Sequence, residues 1–166
     1  MATELAATVS RIGRREEVPA ALARFMEVES LGVAVRITPA LVDLPWSEAG
    51  LTAMFGIADP ADTVSVTPVF AGIAETGTLA LLSGSDSPTS LNFLPNTHIA
   101  VLSAGDVVGV YEDVWDRLRR DGRAIPRTIN LISGPSRTGD IEQTIEIGAH
   151  GPRRLHILLI DDQPGR

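Results

Sequence analysis

The turn Gly134-Pro135-Ser136-Arg137-Thr138 has the residue types of a small anion site. Gly134 permits a sharp exit from the apolar run at 129–132, and Pro135 fixes φ as the chain bends. Ser136 or Thr138 can cap a following helix, whose positive end and free main-chain N–H groups attract anions. Arg137 can bind two oxygens of a carboxylate or phosphate. An ordinary α/β corner with Arg137 at the surface is the alternative.

A second candidate is the segment Glu75-Thr76-Gly77-Thr78, which joins one apolar stretch to the next. Main-chain N–H groups or a threonine hydroxyl can hold the Glu75 carboxylate in such a turn. That arrangement suits either a structural hydrogen bond or a group that donates and accepts protons. Both interpretations of Glu75 stay open at this point.

Asp140 lies in the first turn of a predicted helix, and His150 lies in the turn that follows this helix. Ile141, Thr144, Ile145 and Gly148 follow the i, i+3, i+4, i+7 spacing of a helix, and Gly148 ends it. The apolar run at 155–160 then suits a buried parallel strand. We therefore predict one β-turn-α-β unit over residues 129–160, with a right-handed crossover.

Composition excludes several kinds of chemistry. The chain has 166 residues, a net charge of −7 and no cysteine, and all 14 of its basic residues are arginine. A general affinity for nucleic acid is disfavoured, and Schiff-base lysine, thiolate and cysteine-bound iron–sulfur chemistry cannot come from this chain. His98, His150 and His156 are too scattered for a metal motif, so we predict no bound metal, and structural roles for His98 and His156.

The remaining patterns predict the elements that position these residues. Helices are expected at 18–29, from Ser47 through Leu51, Met54 and Phe55, and along a stripe from Val107 to Leu118; strands are expected at 33–37, 63–70 and 99–102. The polar stretch 83–90 is expected to be an ordinary loop, with a flap over a site as the alternative. The alternation predicts a single α/β domain whose mostly parallel sheet is covered by helices on both faces.

The two candidate segments also resemble the signature motifs of the lactate-utilisation protein C family, the LUD domain. The similarity lies at residues 75–78, in Pro95-Asn96-Thr97-His98-Ile99, at residues 130–142 and in His150-Gly151-Pro152. It implies a 17–162 LUD domain between a 1–16 N-terminal segment and a 163–166 tail. It also implies the sheet architecture of CoA transferases and sugar-phosphate isomerases, in which some branches use a glutamate near the position of Glu75.

The resemblance implies a subunit of a complex that oxidises L-lactate to pyruvate. Glu75, Asp140 or His150 would transfer protons, while Thr76, Gly77, Thr78 and the 134–138 turn would bind a small carboxylate or another anion. This chain would hold no cofactor of its own, and iron–sulfur clusters would lie in cysteine-rich partner subunits. Without a signal peptide or an apolar run of about 20 residues, a soluble cytoplasmic protein is expected.

Two further functions stay open. The same turn would serve a binding or assembly module whose chemistry lies wholly in partners. The fold relationship also permits an acyl- or CoA-transfer enzyme, although fold alone is a weak argument for an activity.

Overall fold

The computed structural model describes residues 7–122, 124–139, 145–147 and 151–161. Within these ranges, six parallel strands form the main sheet: β1 (Thr8–Ile12), β2 (Ala34–Ile37), β3 (Thr52–Phe55), β4 (Val64–Pro68), β7 (Thr97–Ser103) and β12 (Arg154–Ile160). Their spatial order is β1-β12-β7-β4-β2-β3.

A second sheet of four strands lies beside the first. Its strands are β5 (Ala71–Ile73), β6 (Thr78–Leu82), β8 (Val107–Val108) and β9 (Ile129–Ile132), in the order β8-β5-β6-β9. An antiparallel pair, β10 (Arg137–Gly139) and β11 (Ile145–Ile147), completes the described strands. The described helices are α1 (Val18–Val28) and α2 (Tyr111–Arg120).

The two faces of the main sheet have different covers. Helix α1 packs Val18, Leu22 and Met26 on one face, against side chains such as Val66 and Leu158. The second sheet covers the other face through a cluster that comprises Val69, Leu79, Leu81, Ala100, Leu102, Leu155 and Ile157. Helix α2 lies on the outer side of the second sheet, where Val114 packs on Ala71, Ile73 and Ala80. The expected α/β class with a mostly parallel sheet is confirmed. The expected helices on both faces are not found among the described residues, because the second sheet covers one face.

Alternation along the strands explains this division. Val64 and Val66 in β4 belong to the cluster under α1, whereas Ala100 and Leu102 in β7 face the second sheet. Successive side chains of a strand point to opposite faces, so a strand between two apolar layers is buried on both. The predicted strands at 33–37, 63–70 and 99–102 and the predicted helix at 18–29 are confirmed.

The helix predicted from Ser47 to Phe55 is wrong. A single 3₁₀ turn covers Trp46–Ala49 and ends at Gly50, whose φ of 71° is left-handed. The chain then enters β3, which pairs with β2 in parallel. Sheet pairing here overrides the helical spacing of the apolar residues. The stripe from Val107 is divided in the same way, because β8 precedes α2.

The predicted β-turn-α-β unit is also wrong. Strand β9 pairs antiparallel with β6 in the second sheet, whereas β12 lies in the main sheet between β1 and β7. Where a helix was expected after Thr138, the described residues form β10 and β11. Its positions Ile141, Thr144 and Gly148 lie outside the described residues.

Strand β1 pairs with β12 throughout its length, from Thr8 beside His156 to Ile12 beside Ile160. The region expected as a separate N-terminal segment therefore contributes a strand to the main sheet. The proposed limits of the LUD domain at 17 and 162 stay a prediction. None of the helices in the described part of the chain has both the length and the apolar content of a membrane span.

Candidate functional site

The candidate segment Glu75-Thr76-Gly77-Thr78 connects β5 to β6. Gly77 has a φ of 68°, and its N–H donates to the Ile73 carbonyl at 2.8 Å, which closes the turn. A left-handed conformation of this kind favours glycine. The Glu75 N–H donates to the Gly109 carbonyl at 3.1 Å, which fixes the loop beside the start of α2. The Glu75 side chain is exposed, while Thr78 is fully buried.

A cluster of four hydroxyl groups lies next to this loop, and we call it the hydroxyl cluster. Thr78 Oγ1 lies 2.6 Å from Ser133 Oγ and 3.0 Å from the Tyr111 hydroxyl. Thr76 Oγ1 lies 2.8 Å from Thr78 Oγ1 and 3.4 Å from the Tyr111 hydroxyl. Ser133 directly precedes Gly134. The hydroxyl cluster therefore joins the Glu75 loop to the Gly134 turn.

The hydroxyl cluster changes the acidity of Tyr111. Hydrogen bonds from Thr76 and then Thr78 lower the pKa of the Tyr111 phenol below its usual value, and the Ser133 hydroxyl adds to this effect. Loss of hydration and the negative charge of Glu75 act in the opposite direction but are outweighed. Hydrogen bonds donated to an oxygen stabilise its charged form, so this phenol gives up its proton more readily than a free tyrosine.

The other candidate segment begins with a turn at Gly134. Gly134 has a φ of 92°, as expected for a sharp exit from β9. The Ser136 N–H donates to the Pro152 carbonyl at 2.8 Å, so the turn lies at the amino end of β12. A Cβ atom on Gly151 would lie 3.2 Å from the Ser136 Cβ, which shows how closely the two segments approach.

Two expectations about this turn need correction. Its N–H groups were expected to be free, but the Ser136 N–H is already used by Pro152. A helix N-terminus was expected behind the turn, but the chain continues into β10. An anion bound here would therefore lack the Ser136 N–H and the help of a helix dipole.

The remaining predicted residues divide into two groups. Thr76, Gly77 and Thr78 lie together in the Glu75 loop, and Gly134, Pro135 and Ser136 lie in the turn joined to it by Ser133. Asp140 and His150 lie outside the described residues, as do the side chains of Arg137 and Thr138. The catalytic and ligand-binding roles of all these residues stay predictions.

Sequence reasoning missed Tyr111 and Ser133. Tyr111 lies within the stripe from Val107 to Leu118 that predicts a helix, and it is the only tyrosine of the chain. Ser133 directly precedes the conspicuous Gly134 turn but was not selected. Tyr111 lies at the start of α2 and Ser133 at the end of β9, and the second sheet brings them together. The spacing of residues along the chain does not reveal this tertiary contact.

His98 and His156 are structural, as predicted. His98 Nε2 lies 2.7 Å from Thr67 Oγ1, and His156 Nδ1 lies 2.7 Å from Thr8 Oγ1. The His156 ring also stacks on Phe25, with 4.0 Å between the ring centroids. Burial lowers the pKa of each imidazole to about 4, because the charged form would lose its hydration.

Known proteins place the chain in a family. The family model of the LUD domain matches residues 48–160, more than half of the chain. A protein of Neisseria meningitidis is 38% identical over 89 residues, and lactate utilization protein C of Bacillus subtilis is 35% identical over 94 residues. These matches cover 54% and 55% of this chain but only 38% and 39% of the two relatives.

A solved structure supports the fold independently. The crystal structure of a DUF162 family protein from Deinococcus radiodurans superposes with a TM-score of 0.70 at 23% sequence identity. The superposition covers 96% of this chain and 91% of the other. On the strength of the family match, this chain belongs to the LUD domain family.

Proposed function

We propose that this chain takes part in lactate utilisation, and that the Glu75 loop, the hydroxyl cluster and the Gly134 turn bind lactate. The proposal is supported by the family of the chain and by its similarity to lactate utilization protein C of Bacillus subtilis. The observation that carries it is the 2.6 Å contact between Thr78 and Ser133, because it joins the two motif segments into one surface.

The binding part of the proposal assigns one group to each end of lactate. The Arg137 guanidinium binds the carboxylate, since its fork of N–H donors matches two carboxylate oxygens. The hydroxyl groups of the half-buried residues Thr76 and Tyr111 orient the 2-hydroxyl. A hydroxyl group can both donate and accept, so this cluster suits an alcohol and its ketone product equally.

The chemical part of the proposal concerns protons and electrons. Oxidation of lactate to pyruvate releases an electron pair and two protons. Glu75 takes up the proton of the substrate hydroxyl and the deprotonated Tyr111 takes up the proton from C2, with Asp140 and His150 as the additional candidates from the sequence. Iron–sulfur clusters in partner subunits would accept the electron pair. This chain contains no cysteine and cannot itself ligate such clusters with thiolates.

The first test uses the organism that encodes this chain. We expect deletion of the gene to abolish growth on L-lactate but not on glucose, and the wild-type gene to restore it. Glu75→Gln should fail to restore lactate-dependent oxygen uptake, with a loss of about 100-fold or more, because the amide cannot accept a proton. Glu27→Gln, at an exposed position on α1, is the matched control and should restore uptake fully.

The second test separates binding from chemistry in the purified chain. Calorimetric titration with L-lactate should show binding in the wild type and in Glu75→Gln, and much weaker binding in Arg137→Gln. Normal oxygen uptake in both Glu75→Gln and Tyr111→Phe, with binding intact, would instead identify a binding or assembly module. No growth defect on L-lactate after deletion would refute the proposal and leave acyl or CoA transfer to be tested.

A further inference from the structure

A cleft of about 430 Å³ opens at the carboxyl ends of β2 and β4. Ala40 follows β2, Pro68 ends β4, and both line this cleft. From β2 the chain moves outward to β3, whereas from β4 it moves the opposite way to β7 and β12. The cleft therefore lies where the strand order reverses, which is the position that open α/β sheets use for ligands.

A recess of about 420 Å³ adjoins this cleft and shares two of its residues. The residues of the recess come from the polar loop after β6 and from the segment before β9: Ser83, Gly84, Ser85, Thr89, Arg127 and Thr128. The loop is held in place because the Asp86 carbonyl accepts hydrogen bonds from the Ala40 N–H and the Thr38 hydroxyl. The polar stretch that was expected to be an ordinary loop thus forms walls of both cavities.

The recess is positive in an acidic protein. Its lining contains four hydroxyl residues and Arg127 but no carboxylate, although the chain carries a net charge of −7. Arg127 is exposed and forms no ion pair within the described part of the chain, whereas Arg15, Arg36 and Arg117 each have an aspartate partner. An unneutralised guanidinium beside hydroxyl donors is the chemistry of an anion site.

The hydroxyl groups of the recess favour phosphate over a carboxylate. Ser83 Oγ accepts the Thr128 N–H at 2.9 Å, and its own proton remains available to a ligand. The hydroxyls of Ser85, Thr89 and Thr128 have no hydrogen-bond partner among the described residues. A phosphate group presents three acceptor oxygens in different directions and can use several such donors together with Arg127.

The lining of the larger cleft carries negative rather than positive charge. The Asp86 carboxylate lines it, while the Arg117 guanidinium, which also lies over the Phe70 ring, neutralises Asp106 at 2.6 Å. Asp86 can accept hydrogen bonds from hydroxyl groups of a ligand. The recess would hold a negative group, and the cleft would hold a neutral part rich in hydroxyl groups.

We propose that the recess and the cleft together bind a small phosphate monoester, with its phosphate at Arg127 and its hydroxyl groups directed to Asp86. This site is separate from the proposed lactate site. Thr78 and Ser133 lie at one end of the β6 and β9 pair, while Ser83 and Thr128 lie at the other, where the Ser83 N–H donates to the Thr128 carbonyl at 3.0 Å.

The test is calorimetric titration of the purified chain with glycerol 3-phosphate, inorganic phosphate and glycerol at constant ionic strength. Glycerol 3-phosphate should bind more tightly than inorganic phosphate, and glycerol alone should give no measurable heat. Arg127→Gln should lower the affinity for glycerol 3-phosphate about tenfold or more, which is the loss typical of one charge-assisted contact. Asp86→Asn should narrow the preference for glycerol 3-phosphate over inorganic phosphate.

Arg119→Gln is the matched control, since Arg119 is an exposed arginine on α2 that pairs with Asp116. It should leave all three titrations unchanged. Unaltered binding in Arg127→Gln, or no phosphate binding in the wild type, would overturn the proposal. Loss of phosphate binding in Arg137→Gln with retention in Arg127→Gln would overturn it as well and would locate the anion at the Gly134 turn.

Discussion

Tyr111 occupies the point where the two motif segments meet. Its hydroxyl lies 3.0 Å from Thr78 Oγ1, and Thr78 in turn contacts Ser133. These partners stabilise the phenolate, so the pKa of Tyr111 lies below its usual value. The sequence suggested proton transfer by Glu75, Asp140 or His150, and our proposal adds the neighbouring Tyr111 phenol to these groups.

The acidity of Tyr111 can be measured directly, since it is the only tyrosine in the chain. A spectrophotometric titration of the folded protein should show a phenolate midpoint below the usual value of about 10. Thr78→Val keeps the β-branched shape but removes the hydroxyl, so its midpoint should rise towards that of the unfolded chain in urea. A wild-type midpoint equal to the unfolded value would show that the hydroxyl cluster does not act on Tyr111.

The two buried histidines predict a specific dependence of stability on pH. Burial lowers the pKa of His98 and of His156 to about 4, whereas both titrate near 6.5 when unfolded. Between these values the unfolded chain binds protons that the folded chain does not, so the free energy of unfolding falls as the pH falls from about 6.5 to 4. Between pH 7 and 5, each histidine should contribute a loss of about 2 kcal/mol.

Urea unfolding at pH 7 and pH 5 measures this loss. His156→Gln should remove about half of it, because glutamine can retain a hydrogen bond to Thr8 but does not titrate. The ion-paired carboxyls of Asp43 and Asp62 have lowered pKa values, so their contribution to stability is lost only at more acidic pH. Equal stability of the wild type at pH 7 and 5 would contradict a neutral, buried state of both imidazoles.

Among the elements, the regular strands and α1 were predictable, whereas the segment after Gly134 was not. Ile141, Thr144 and Ile145 have helical spacing, but β-branched residues also favour strands, and β11 begins at Ile145. A short segment of this kind fits both structures, and pairing with β10 decides between them. The apolar runs 129–132 and 155–160 were both recognised as strands, but nothing along the chain shows that they belong to different sheets.

The candidate site could also be predicted only in part from the sequence. The Glu75 loop and the Gly134 turn could be selected because their residue types stand out within a few positions. Tyr111 and Ser133 could not, because their role depends on β6, β9 and the start of α2 lying side by side. Candidate residues within one short segment can be predicted from the sequence, whereas contacts between distant elements cannot.

The turn after β9 predicts a cost for any side chain at Gly134. With a φ of 92°, Gly134→Ala should lower the free energy of unfolding by about 1–2 kcal/mol, as measured by urea unfolding. Gly32→Ala is the control, since Gly32 lacks a left-handed φ and has open space around the position of a Cβ. It should leave stability unchanged or slightly raised. Equal effects of the two substitutions would show that the left-handed φ at position 134 does not disfavour a side chain.

At the scale of the whole molecule, β1 protects the main sheet. It pairs with β12 along its whole length and buries Ala7 and Ile12. Without it, β12 would become an apolar edge strand with unpaired N–H and C=O groups, which invites pairing with other chains.

Removal of residues 1–13 should therefore cause aggregation, measured by size-exclusion chromatography with light scattering. Val9→Thr, at a position of β1 whose side chain is 42% exposed, keeps the strand and should elute like the wild type. A monodisperse, folded protein after the deletion would show that β1 does not protect the edge of β12.

The place of β12 between β1 and β7 also constrains folding during protein synthesis. A nascent chain that ends before Arg154 already contains β1, β2, β3, β4 and β7 but lacks the strand that links β1 to the others. Strand β1 is the first of the described strands to be synthesised. It cannot join the sheet until nearly all of the described chain has left the ribosome. Until then its apolar residues and the open edge of β7 are available to chaperones, so the main sheet is completed by the late insertion of an interior strand.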